Sequence, residues 1–234
     1  GEFDLLVKRY KQWGKPGERN YRPPGAVSNY LFERKPGDEV EFKHIKFNLK
    51  IPYNRVAHRF PKADKITMIA VGVGIAPMIQ ALTCLFSDPE CTTQVKLLLG
   101  NRSVSDILLR CTLDGWETSF PDRFKVVHHI GTRYAGIVSH KNTCPKSCRA
   151  PCPFWVPPLP KGWETLKVDG REATWVNEAS IRKHGFAPKE EGSAVFVCGL
   201  PSVYDALCGP RGQPLEEGSA LARIGFTNEQ VTKF

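Results

Sequence analysis

The chain has 234 residues, of which 41% are hydrophobic, so it can bury one large core or two modest ones. No apolar run is long enough to cross a bilayer and no secretory signal pattern opens the sequence, which argues against a membrane-spanning or exported protein. The net charge of +9 fits an anionic ligand, an acidic partner or simply a solubilising surface, and the scattered lysines and arginines argue against nucleic acid.

The first part of the chain has a β-rich pattern. It predicts strands near 4–10, 39–43 and 46–51, with a Pro/Gly-rich loop and a short helix over 27–34 between the first two. Residues 55–65 are polar and contain Pro61, which is typical of a linker between domains.

Residues 66–85 carry the most informative pattern, an apolar run followed by a glycine turn and an amphipathic segment. They predict a strand over 66–71 and a helix over 77–87, joined at Gly72-Val73-Gly74. Glycines let the backbone approach a ligand closely, and free N–H groups at a helix start attract phosphate. Pro77 suits the first helical turn, because the N–H that it lacks would be unpaired there. The pattern favours a nucleotide-binding turn, although any strand followed by a helix also fits it.

Strands and helices then alternate, which predicts a parallel sheet covered by helices. The predicted elements are a strand over 94–100, helices around 104–119, a strand over 124–130, a helix over 177–184, a strand over 194–198 and a helix over 201–208. The last strand ends at Cys198-Gly199, and ligands lie beyond the carboxyl ends of parallel strands, so both glycine turns are expected to line one crevice. Cys198 is there either a reactive group or a small apolar filler.

Five ordered motifs resemble the NADH–cytochrome b5 reductases and related ferredoxin–NADP reductase-like flavoproteins, over nearly the whole chain apart from one insertion. The motifs are DLLVKRY at 4–10, GAVSNYL at 25–31 with PGDEVEF at 36–42, GVGIAP at 72–77, Asn101 with DILLR at 106–110, and CGLP at 198–201. The resemblance implies an α/β fold, in which part of an antiparallel β-barrel flavin domain precedes a pyridine-nucleotide-binding parallel sheet with helices on both faces. The expected domains are 1–60 and 61–234, the second with a Cys/Pro-rich insertion at about 133–162.

The resemblance also implies FAD and NADH as cofactors. In the family, backbone amides at a helix start hold the FAD pyrophosphate, and here that segment comprises Gly25, Ala26, Val27 and Ser28. Ala26 stands where the family has a lysine, so one charge contact is missing. Lys8 and Tyr10 match a lysine near the pyridine nucleotide and an aromatic residue beside the flavin.

A second group of residues is implied to bind NADH. Its members are Gly72, Val73, Gly74, Pro77, Asn101, Gly199, Leu200 and Pro201. Cys198 is implied as the catalytic residue, beside the point where the nicotinamide passes hydride to the flavin, and it places the ring rather than acting as an acid. Val73 replaces a family threonine, so we expect altered stacking but retained binding.

Two departures from the family bear on the cofactors. The Arg-x-Tyr-Thr/Ser-x-x-Ser segment, with which the family grips the flavin, does not occur in this sequence. Gly131 stands where the family has an aspartate that pairs with the ribose of NADH, and Arg133 lies close by. NADH is therefore the expected hydride donor, with NADPH as the alternative.

The insertion holds Cys144, Cys148 and Cys152 at a regular spacing within a proline-rich run. Three thiolates can bind zinc with a fourth ligand such as His140, or can hold an iron–sulfur cluster. Neither standard spacing is met, so a surface loop with free thiols and no metal is the prediction. Nothing indicates a secreted disulfide framework, which favours a reducing compartment.

Two functions follow from these observations. The first is an FAD-dependent oxidoreductase that takes hydride from NADH and passes electrons to an acidic haem protein such as cytochrome b5. We expect it to be a monomer on the cytoplasmic side, with any membrane attachment through a segment N-terminal to this sequence. The alternative is a non-catalytic nucleotide-binding protein that has lost its flavin site.

Overall fold

The computed structural model of the chain describes residues 5–12, 14–18, 21–43, 63–101, 106–130 and 176–234. It divides into two compact units, Gly1–Leu49 and Lys50–Phe234. The boundary falls among residues 44–62, outside the described residues, so domain limits at 60 and 61 stay a prediction. The predicted strand over 46–51 and the insertion with Cys144, Cys148 and Cys152 also lie outside them.

The described part of the N-terminal unit contains one short helix, α1 (Ala26–Phe32). Tyr10 pairs with the start of this helix: its carbonyl accepts the N–H of Gly25 at 2.9 Å, and its N–H donates to Ser28 Oγ at 3.2 Å. The described residues of the strand predicted near 4–10 form no strand, so that prediction is wrong over residues 5–10, and its last residue, Tyr10, pairs with the helix. The strand predicted over 39–43 is also absent, and no neighbouring strand exists in the described part of this unit.

The second unit contains a five-stranded parallel sheet and five helices among its described residues. In chain order these are β1 (Lys65–Val71), α2 (Ile75–Ser87), β2 (Gln94–Asn101), α3 (Arg110–Ser119), β3 (Phe124–Ile130), α4 (Glu178–His184), β4 (Ser193–Cys198), α5 (Pro201–Leu207), α6 (Ala220–Ile224) and β5 (Val231–Lys233). The predicted alternation is confirmed from β1 to α5. Helix α2 begins at Ile75, two residues before the predicted start at 77, and α6 and β5 were not predicted.

Helices cover both faces of this sheet, because its strands are apolar on both faces. On one face, α2 and α3 pack through an aromatic cluster in which the Phe86 and Trp116 rings each meet the ring of Phe124 edge-on. On the other face, Ile69, Leu98 and Val197 pack in one buried cluster with residues of α4, α5 and α6. No helix in the described part of the chain is long and apolar enough to cross a membrane.

The strand order is β3-β2-β1-β4-β5, and it determines where a ligand site can form. From β1 the chain adds β2 and then β3 on one side, and it later returns across the sheet to place β4 on the other side of β1. The helices of the two halves cover opposite faces, so the order of the strands reverses between β1 and β4. Open parallel sheets bind ligands beyond the carboxyl ends of the strands at such a reversal.

Candidate functional site

The two glycine turns meet at the carboxyl ends of β1 and β4. Ala70 and Cys198 are register partners in the sheet, so both strands end side by side. A Cβ built on Gly74 would lie 2.2 Å from the carbonyl oxygen of Cys198 and 3.1 Å from the nitrogen of Gly199. Only a residue without a side chain allows this approach, which brings together the two turns that the sequence analysis expected to share a crevice.

The first turn leads directly into α2. Gly72 has a φ of 57°, in the left-handed region that favours glycine, and it opens a single 3₁₀ turn, Gly72–Gly74. The α-helix begins at Ile75 and places Pro77 in its first turn, as predicted. No side chain caps this end of the 13-residue helix α2; the Ile75 N–H donates to the carbonyl of Gly72 in the preceding turn, and Pro77 has no N–H.

Asn101 ends β2 at the same edge of the sheet, one residue beyond the register partner of Val71. Its side chain is 3% exposed, and neither its amide oxygen nor its amide nitrogen has a hydrogen-bond partner within the described structure. A buried polar group without a partner costs free energy, so such a group points to a missing ligand. Asn101 is the strongest sign in this unit that the edge is built to hold something polar.

Apolar exposure marks the same edge. In the described part of the second unit, the large hydrophobic side chains that are exposed are Val73 at 37% and Leu200 at 58%, one from each turn. Pro201 follows Leu200 and begins α5. A ligand with a flat apolar group at this edge would cover both side chains.

Cys198 lies at the end of β4 and is half-buried. Burial raises the pKa of its thiol, while the Tyr204 hydroxyl and Arg211 oppose that rise. A raised pKa keeps the group as a neutral thiol near pH 7, so it is suited to packing against a ring and not to transferring a proton.

A second polar group at the carboxyl side of β3 was not foreseen from the sequence. Both ring nitrogens of His128 are buried without a hydrogen-bond partner in the described structure. The pKa of His128 is lowered to about 4, mainly by burial and to a smaller extent by the charges of Arg110 and His129. Arg110 begins α3 directly after Leu109, whose φ of 53° is left-handed. The only sequence signal was the alternation that puts Phe124, Val126 and His128 on one face.

The remaining predicted residues belong to the N-terminal unit. Lys8 is half-buried, while Tyr10 and Val27 are 47% and 73% exposed. The Ser28 hydroxyl is engaged within the unit, since it accepts from the Tyr10 N–H and donates to the Gly25 carbonyl at 3.2 Å. The main-chain amides at the start of α1 have no side-chain cap. What this segment could offer an anion is therefore backbone, without a cationic side chain at Ala26, and its role in flavin binding stays a prediction.

Comparison with known proteins agrees with this geometry. Residues 68–143 match the family described as the oxidoreductase NAD-binding domain. Over 237 aligned positions, the chain is 29% identical to NADH-cytochrome b5 reductase 2 of Botryotinia fuckeliana and 30% identical to that of Ajellomyces capsulatus. The alignments cover the whole chain but 54% and 57% of those relatives, so the chain spans little more than half of their length.

Two solved structures share the fold. The cytochrome b5 reductase domain of Ulva prolifera nitrate reductase has a TM-score of 0.62 at 22% identity, covering 97% of this chain and 71% of that one. The CS-b5R domains of human Ncb5or, in the NAD+ form, have a TM-score of 0.55 at 16% identity, covering 91% and 46%. The resemblance is confirmed, and so is the α/β fold class for the parallel sheet covered by helices. The part played by each candidate residue stays a prediction.

Proposed function

We propose that this chain, a relative of the NADH–cytochrome b5 reductases, is part of an FAD-dependent oxidoreductase that takes hydride from NADH and passes electrons to cytochrome b5 or a similar acidic haem protein. One observation carries the proposal: two glycine turns touch at the reversal point of a parallel sheet, with Gly74 against the Cys198–Gly199 peptide. The buried, unpartnered amide of Asn101 at the same edge supports it.

Each part of the proposed nucleotide site has a distinct task. The start of α2 attracts the pyrophosphate through the helix dipole, and the glycine turn before it lets the phosphates approach the backbone closely. The Asn101 amide satisfies its donor and acceptor on the ribose or pyrophosphate. Val73 and Leu200 cover the nicotinamide ring, and the neutral Cys198 thiol sets its position. These groups orient the donor and exclude water from it.

The N-terminal unit fits a flavin in part. The amides of Ala26, Val27 and Ser28 are uncapped main-chain donors for a phosphate, and the Tyr10 ring is exposed for packing. FAD, when bound, supplies an acceptor that takes a hydride and gives up electrons one at a time. The protein's contribution is to bind that cofactor through these amides.

The charge and the nucleotide preference are further proposals. The net charge of +9 suits an acidic electron acceptor, because opposite charges steer the encounter of two proteins. We propose NADH as the physiological donor. NADPH is the alternative, because Gly131 and Arg133 bring no carboxylate that would repel its 2′-phosphate. The cytoplasmic location and the monomeric state remain predictions.

The proposed binding of FAD is tested by the absorbance of the purified full-length protein. We expect a yellow protein, or one that becomes yellow when FAD is added, and we expect NADH to bleach that colour without oxygen. A protein that stays colourless with FAD but binds NADH would instead support the non-catalytic nucleotide-binding alternative.

Cys198→Ala tests the nicotinamide end of the site. We expect it to slow flavin reduction by NADH while FAD binding is kept, since the thiol positions a ring and does not hold the flavin. Cys91→Ala is the matched control, because Cys91 is also a free, half-buried thiol but follows α2 at the opposite end of that helix. Equal reduction rates in wild type and Cys198→Ala would remove Cys198 from the site.

A further inference from the structure

A buried tyrosine joins the second turn to Phe234, the residue that follows β5. Tyr204, a residue of α5, is 2% exposed and belongs to the buried cluster that α4, α5 and α6 form with the sheet. Its hydroxyl donates to the main-chain oxygen of Phe234 at 2.5 Å and accepts the N–H of Gly199 at 3.4 Å. One oxygen atom therefore links the Gly199 amide, in the turn that faces Gly74, to the backbone of Phe234.

The proton count of a phenol determines the direction of these bonds. A tyrosine hydroxyl has one proton to donate and two lone pairs to accept with. Burial is the main reason that the pKa of Tyr204 rises to about 12, so the group is protonated at neutral pH. Its proton is donated to the main-chain oxygen of Phe234, and a lone pair of the same oxygen accepts the Gly199 N–H.

The acceptor of this proton is itself held firmly. The Phe234 N–H donates to the carbonyl of Val197 at 3.0 Å, and the Phe234 ring packs against Phe196 with centroids 5.5 Å apart. The hydroxyl of Tyr204 is thus anchored to β4 on one side and holds the turn that follows β4 on the other. A turn held in this way can present the same face to a ligand without reorganisation.

We propose that Tyr204 is a positioning residue for the nicotinamide end of the nucleotide site, acting through the Cys198–Gly199 turn. This inference rests on the proposed function and deepens it. The hydroxyl holds the Gly199 N–H, and with it the turn that begins at Cys198, in one position. The adenosine and pyrophosphate end of the nucleotide, which we assign to α2 and Asn101, does not depend on it.

The test compares two ligands in Tyr204→Phe, which removes the hydroxyl and keeps the buried ring. In the full-length protein, we expect the dissociation constant of NADH to rise about tenfold, as for loss of a typical buried hydrogen bond. ADP-ribose lacks the nicotinamide, so its dissociation constant should stay within about twofold of the wild-type value. Tyr30→Phe is the control, because Tyr30 is 46% exposed in the other unit, and it should change neither constant.

The possible results separate the inference from the function on which it rests. Unchanged NADH binding in Tyr204→Phe, or an equal loss for NADH and ADP-ribose, would overturn the positioning role. A wild-type protein that binds neither ligand would overturn the proposed function itself.

Amide hydrogen exchange gives a readout that needs no ligand. The Gly199 N–H should be protected in wild type and should exchange about tenfold faster in Tyr204→Phe, while the exchange of the Val197 N–H should not change. Equal Gly199 exchange rates would contradict the proposal.

Discussion

In the second unit, the central strands bury almost every side chain, and Met68, Ile69, Leu97 and Leu98 are fully excluded from solvent. In the N-terminal unit, the buried residue among those described is a serine, Ser28, and six large hydrophobic side chains are exposed. They are Leu5, Tyr10, Val27, Tyr30, Phe32 and Phe42. The second unit carries its own core, whereas the described part of the first is held by hydrogen bonds. We therefore expect substitutions in the two units to differ sharply in cost.

The largest expected effect comes from the core of the sheet. Phe196→Ala should lower the free energy of unfolding by about 4 kcal/mol, because it deletes a fully buried ring and leaves a cavity. Phe32→Ala removes the same side chain from a site that is 51% exposed, and it should cost less than about 0.5 kcal/mol. Urea unfolding of both variants measures the difference, and equal losses would contradict the contrast between the units.

The contact between the two turns is the next most sensitive point. Gly74→Ala should cost about 3 kcal/mol and abolish NADH binding, because its Cβ would lie 2.2 Å from the backbone oxygen of Cys198. Gly115→Ala is the matched control, since Gly115 lies within α3 and a Cβ there meets nothing within 4 Å. It should stabilise the protein by about 0.5–1 kcal/mol, the gain in helix propensity. Calorimetry of both variants measures these changes in stability. A Gly74→Ala variant as stable as wild type would contradict the close contact between the two turns.

Acid sensitivity distinguishes the second unit in another way. The pKa of His128 is lowered to about 4 in the folded state, against 6.5 for the free side chain. As the pH falls, the unfolded state therefore takes up a proton at this histidine at a higher pH than the folded state does. Stability is therefore lost as the pH falls below about 6.5, and this histidine should account for about 2 kcal/mol between about pH 7.5 and 5. His128→Leu should remove that part of the pH dependence of urea unfolding. An identical pH profile in the variant would show that His128 ionises freely.

The smallest expected effect concerns β5. The Lys233 ammonium lies 2.7 Å from the carbonyl of Cys208 and within 3.1 Å of three further carbonyls, those of Pro210, Gln213 and Pro214. Lys233→Met should cost about 1.5 kcal/mol, because these bonds to a charged group tie the loop to the sheet. Lys125→Met is the control, as Lys125 is 68% exposed and pairs with Glu117 on the surface. Equal midpoints for the two variants in thermal unfolding would refute this role.

The sequence predicted the second unit far better than the first. Long apolar runs bounded by glycine, as at Gly72 and Gly199, indicate buried strands whatever surrounds them. β5 has three residues, Val231–Lys233, which is too short for a periodic signal. The strand predicted near 4–10 failed because a pattern does not show which partner a backbone finds, and Tyr10 finds α1.

The candidate site shows the same limit. The glycine turns and Asn101 were proposed from motifs and resemblance, because their residue types are tied to a task. His128 and Tyr204 were not singled out from the sequence, because their environment arises from tertiary burial and from partners far along the chain, such as Phe234.

Hydrogen exchange of the full-length protein with and without NAD+ tests the central claim most directly, since it locates the dinucleotide along the backbone. We expect NAD+ to slow exchange at 72–77 and at 198–201 together, with little change in α1. Protection at only one of these turns, or at neither, would contradict a single nucleotide bound where β1 and β4 end.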